Sequence, residues 1–96
     1  MTKYFVPYSK DTPAAVDVKG HRLLLVSTDA EEILNELETL GGDTIRELIV
    51  KDGLEEQSSA LTDLAASVNG GVVLTPPGVS PSSMIRNLEH ELPWLH

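Results

Sequence analysis

The densest apolar stretch in the chain is Leu23-Leu24-Leu25-Val26, four large aliphatics with no polar interruption. A strand with one wet face alternates apolar and polar residues. An unbroken run of this length therefore predicts a strand covered on both faces, near the middle of a sheet. Val72-Val73-Leu74 is a shorter run of the same kind and predicts a second buried strand lying beside the first. Residues 3–8, rich in β-branched and aromatic side chains, predict another strand. Pro7 has no amide donor, which predicts that this strand lies at an edge or ends there. Residues 9–13 are polar turn material. Val16 and Val18 alternate with Asp17 and Lys19, and Gly20 separates them from the central run, which predicts a hairpin of 14–19 and 22–27. Ile45, Leu48, Ile49 and Val50 predict a strand over 44–50, interrupted by Arg46 and Glu47.

Between these strands the period changes to that of a helix. Ala30, Ile33, Leu34, Leu37 and Leu40 share one helical face, with Glu32, Glu36 and Glu38 turned away from it. Thr28 and Glu31 have the spacing of a capping box, and Gly41-Gly42 predicts the stop. A second helix is predicted after Asp52, its expected cap, with Leu54, Leu61, Leu64, Ala65 and Val68 inward and Asn69-Gly70-Gly71 at its end. Ser80-Pro81 reads as a cap followed by proline at the first helical position. That third helix carries Met84, Ile85, Leu88 and Leu92 inward, and Pro93 ends it.

The order β-β-β-α-β-α-β-α, with short connections, predicts one small α/β (or α+β) domain over residues 1–96. The expected core is a mixed four- to five-stranded sheet with three helices on one or both faces. From Leu23 onward the alternation predicts parallel strands joined by right-handed crossovers, with the N-terminal hairpin as an antiparallel edge. A ferredoxin-like antiparallel α+β sheet is the runner-up. A chain of this length buries enough surface for one modest core without metal or disulfide staples.

Composition narrows the function classes. There is no cysteine, hence neither a disulfide framework nor thiolate chemistry. No apolar stretch approaches the roughly 20 residues needed to span a bilayer, and the N-terminus lacks signal architecture, so the cytoplasm is the expected location. The net charge of -8 is concentrated: residues 29–63 hold eleven acidic side chains against two basic ones, Arg46 and Lys51. Such a field disfavours nucleic acid and anionic membranes and suits a basic protein surface. The competing reading is that acidic helix faces simply keep a small domain soluble.

Two groups of residues are candidates for a site. Residues 75–83 should connect a strand to a helix N-terminus, where free amides attract anions. Thr75, Gly78, Ser80, Ser82 and Ser83 would line a ligand site there, although no phosphate-cradling motif is present and plain helix capping explains Ser80-Pro81. The second group would bind a protein partner: Glu32, Glu36 and Glu55 from the acidic block, with Tyr4 and Trp94 as aromatic anchors that could also join two copies of the chain; the competing and favoured reading of the aromatics is that both termini dock onto the sheet edges and Trp94 covers the core. His21, His90 and His96 lack metal-ligand spacing, and the adjacent pairs Glu31/Glu32 and Glu55/Glu56 point apart on a helix. No metal, cofactor or catalytic set is expected. The favoured function is a non-enzymatic protein-interaction or regulatory module, the alternative is a small anion- or metabolite-binding domain using the 75–83 loop, and catalysis is the least favoured class.

Overall fold

The computed structural model describes residues 1–91. One sheet contains six strands: β1 (Thr2–Ser9), β2 (Thr12–Pro13), β3 (Val16–Val18), β4 (His21–Ser27), β5 (Thr44–Val50) and β6 (Gly71–Thr75). Three helices complete the fold: α1 (Ala30–Leu34), α2 (Leu54–Val68) and α3 (Pro81–Glu91). This is the predicted order with one addition, the two-residue β2.

The strand order follows from which residues are paired twice. β5 runs antiparallel to β1 from Thr2 opposite Val50 to Tyr8 opposite Thr44. Phe5 and Tyr8 therefore already face β5, and their pairings with β4 and β2 use the other edge of β1. Likewise Leu23 pairs with both Val16 and Gly71, and Ser27 with both Phe5 and Thr75, so β3 and β1 share one edge of β4 while β6 takes the other. The long strands thus lie in the order β5-β1-β4-β6, and the β2–β3 segment fills the gap where β1 and β4 diverge. β4 and β6 are parallel and the remaining pairs antiparallel, so the sheet is mixed.

The expected interior position of residues 23–26 is what forms: Leu24, Leu25 and Val26 are fully buried. Two other expectations are corrected. β1 is an interior strand, not an edge. The N–H and C=O of a strand residue point to the same edge, and the Pro7 carbonyl accepts from the Ala14 amide at 2.9 Å. The missing donor of Pro7 therefore faces Ala14, just past the end of β2, and the β1–β5 ladder on the other edge is left intact. Conversely, β6 is a rim strand: it lies beside β4 as expected, but its other edge has no strand partner among the described residues, and Leu74 is 45% exposed. β5 points the same way as β4, as alternation predicts, yet β1 lies between them.

The two faces of the sheet are covered by different helices. Tyr4, Val6, Leu24, Val26 and Val50 point to the α2 side and pack with Val68, Leu61 and Leu64. Phe5, Leu23, Leu25 and Val73 point the other way, against Ile33 and Leu40 from the α1 region and Met84 and Ile85 of α3. The alternation of residues 23–26 between these two clusters is why that run of β4 shows no polar positions. Each fully buried aliphatic contributes roughly 1.5–3 kcal/mol by leaving water.

Local chemistry sets the element ends. Lys19 and Gly20 both have positive φ, 51° and 83°, the requirement of the two-residue hairpin turn that follows the twist of its strands. α1 starts one residue later than predicted: Asp29, not Thr28, is the cap, its carboxylate accepting from the Glu31 amide at 3.0 Å. It is also shorter than predicted. Beyond Leu34 the chain continues in looser turns, such as Glu36 N–H to the Ile33 carbonyl at 3.3 Å. Glu36 and Glu38 oppose the negative end of the helix dipole, and no base sits in the last turn to offset them. In α2 the half-buried stripe runs through Gln57, Ala60, Leu61, Leu64 and Ala65 to buried Val68, but Leu54, expected inward, is 89% exposed at the first helical position. Asn69 ends α2 in the left-handed conformation, φ 57°. Gly70 follows against β4, where a Cβ would collide with the Arg22 carbonyl.

Candidate functional site

The 75–83 loop does connect the C-terminal end of β6 to the N-terminus of α3, and its polar groups are turned on one another. Ser80 caps α3: its hydroxyl accepts from the Ser83 amide at 3.2 Å and donates to the Ser83 hydroxyl at 2.9 Å. Arg86 donates to the same Ser83 hydroxyl at 3.2 Å. The Glu36 carboxylate accepts from the Ser82 amide at 2.9 Å and from the Ser82 hydroxyl. An anion thus already occupies the helix N-terminus, and it comes from the chain itself. Thr75 is buried at the end of β6 with its hydroxyl unpartnered among the described residues, and Gly78, φ 83°, makes the turn between the prolines and α3. Of the five residues expected to form a ligand site, Ser80, Ser82 and Ser83 are brought together, and their groups serve the helix start.

The expected partner-binding residues are scattered. Tyr4 is 4% exposed inside the α2-side core and offers no surface to a partner, which corrects its reading as an exposed anchor. Glu36 is engaged with Ser82 instead of lying free. Glu32 belongs to α1 and Glu55 to α2, on opposite faces of the sheet, so the acidic block is not one continuous surface. Trp94 and His96 lie outside the described residues. His21 starts β4 and His90 lies on α3, and no group of three or more His, Asp or Glu among the described residues could hold a metal ion. No described helix is long and apolar enough to cross a membrane.

A different surface gathers more of the acidic block. Three depressions adjoin along α2. One of about 480 Å³ is floored by Tyr8, Leu48, Ala60 and Leu64 and edged by Asp11 and Asp63. It shares Ala60 and Asp63 with a second, of about 430 Å³, edged by Glu55 and Glu56. It shares Thr12, Pro13 and Ser67 with a third, of about 410 Å³, reaching Arg22. Residues 56, 59, 60, 63 and 67 fall at helical spacing, so this side of α2 forms one stripe. Glu55, Glu56 and Asp63 are exposed, and among the described residues none has a cationic partner. Arg46, by contrast, lies over the Tyr8 ring at 4.4 Å and pairs with Asp11 at 3.1 Å.

This groove is not legible in the sequence because its second wall is the β1–β2 turn region, and nothing marks Thr12-Pro13 as a strand. The helical spacing of the α2 stripe was the available signal. Compared with family models, curated proteins and solved structures, the chain matches none of them. The site itself is therefore the ground for a functional reading.

Proposed function

We propose that this domain is a non-catalytic protein-interaction module whose groove along α2 takes up a basic, partly apolar segment of a partner protein. The observation that carries this reading is the pairing of an apolar floor, Tyr8, Leu48 and Leu64, with a rim of three acids that have no cationic partner among the described residues, Glu55, Glu56 and Asp63. The floor supplies area that rewards desolvation, and the rim selects the sign of the partner. From residue 56 to 67 the stripe is about 17 Å long, room for roughly five extended partner residues. The way Arg46 lies on Tyr8 and Asp11 illustrates how an incoming guanidinium would be held. The same acidic field repels phosphate backbones and anionic lipid, which favours a protein partner in the cytoplasm.

The test is a titration of the labelled domain with a short peptide alternating lysine or arginine with leucine. Amide shifts should centre on Ala60, Asp63, Leu64 and Ser67, weaken with salt, and vanish in Glu55→Lys/Glu56→Lys/Asp63→Lys. Shifts that ignore these reversals, or that fall elsewhere, would overturn the reading.

The anion-binding alternative rests on the hydroxyl cluster of the 75–83 loop. There an external anion competes with Glu36, so phosphate should perturb Ser82 and Ser83 in Glu36→Gln and leave them undisturbed in the native chain.

A further inference from the structure

The two rims of the sheet differ in chemistry. β5, at one rim, places exposed Arg46 and Glu47 in its middle and is followed by Lys51. Charges there deter another strand from docking, the usual protection of a sheet edge. β6, at the other rim, reads Gly71-Val72-Val73-Leu74-Thr75, with no charge and no proline inside the strand. It carries none of the charges, prolines or bulges that guard an exposed edge, and among the described residues it is paired on one side only. Val72 packs toward the α2 side and Val73 toward the α1 and α3 side, so helices flank the strand while its outer edge has no backbone partner among the described residues.

We infer that β6 is a homodimerisation edge, on which a second copy of this chain adds its own β6 antiparallel to form one sheet across two molecules. Self-pairing about a two-fold axis perpendicular to the sheet must place residues of the same face opposite each other. Centring the axis on Val73 does so: Val73 meets Val73 of the partner subunit, Val72 meets Leu74 of the partner subunit, and Gly71 meets Thr75 of the partner subunit. No charge enters the seam, and the exposed Leu74 is covered by an aliphatic neighbour. The same operation on β5 about Glu47 would set two carboxylates against each other. This surface is separate from the α2 groove, which no residue of β6 lines.

The experiment compares the full chain with Leu74→Lys by sedimentation over a wide concentration range. Leu74 is already 45% exposed, so the variant should keep the native circular dichroism. The native chain should pass from dimer to the 10.4 kDa monomer on dilution, and the variant should associate about tenfold or more weakly, since the lysine enters the seam twice. Hydrogen exchange of the native chain supplies a check that needs no variant: protection at residues 72–74 should rise with concentration and protection at residues 44–50 should not. A native chain that is monomeric throughout, a dimer indifferent to Leu74→Lys, or concentration-dependent protection on β5 would each overturn the inference.

Discussion

Glu36 and Ser82 are 46 positions apart in sequence, yet the carboxylate of one accepts both the amide, at 2.9 Å, and the hydroxyl of the other. The contact fastens the N-terminus of α3 to the turns that follow α1. A charge-assisted, half-buried contact of this kind contributes about 1.5–3 kcal/mol. Glu36→Ala should accordingly lower the unfolding free energy by about 2 kcal/mol in urea. Glu32→Ala, which removes an acid with no hydrogen-bond partner among the described residues, should stay within about 0.5 kcal/mol. Equal effects would mean that the contact holds nothing.

Burial separates two leucines, both of which the sequence pattern places inward. Leu24 is 0% exposed and Leu54 89%. Leu24→Ala should cost about 3–4 kcal/mol, combining lost transfer energy and a cavity. Leu54→Ala should cost no more than about 0.5 kcal/mol, because its methyl groups are already in water. Chemical denaturation of the two variants decides.

The same pair shows what could be read from the chain and what could not. The run at residues 23–26 announced a strand covered on both faces because every one of its side chains enters one cluster or the other. Element order followed, since turns such as Lys19-Gly20 and Asn69-Gly70 are local chemistry. What failed was non-local. Leu54 has the spacing of the α2 stripe, but spacing does not say where packing begins. Pro7 argued for an edge, and only the course of the neighbouring strands shows that its absent donor faces Ala14, away from the β5 ladder. Val72-Val73-Leu74 looked interior because composition reports the helices above and below a strand, not whether another strand lies alongside it. In the 75–83 loop the hydroxyls and helix N-terminus were legible, but Glu36, brought there by the tertiary fold, was not. Tyr4, a strand aromatic, fitted docking onto the sheet better than an exposed patch, and the structure buries it.

The turn at Lys19-Gly20 offers a stabilising substitution. Lysine at φ 51° occupies a region that asparagine tolerates better, and Asn-Gly is the preferred pair for this hairpin turn. Lys19→Asn should raise stability by about 0.5 kcal/mol, read as an upward shift of the thermal midpoint.

Acid sensitivity should be detectable at Asp52. Its carboxyl is held below the ordinary carboxylate range, first by the hydrogen bond and charge of the amino-terminal ammonium at 2.8 Å and to a lesser degree by the Thr2 hydroxyl. A carboxyl with a lowered folded pKa takes up protons more readily in the unfolded chain. Its contribution is therefore present above the ordinary carboxylate range and is lost as pH falls toward the lower folded value. The pair is exposed and weak in salt. Melting Asp52→Asn and the native chain near neutral pH and at about pH 3 should show a gap that narrows in acid.

The central placement of β1 bears on how the chain assembles. Its long ladder partner, β5, is synthesised only some forty residues after it, while β3 and β4 can close on each other at once. Until then Tyr4, Phe5 and Val6 form an aromatic and aliphatic ribbon with nothing to dock on. That segment thus waits unpaired during synthesis, and the β3–β4 hairpin is the natural early nucleus onto which it is later drawn.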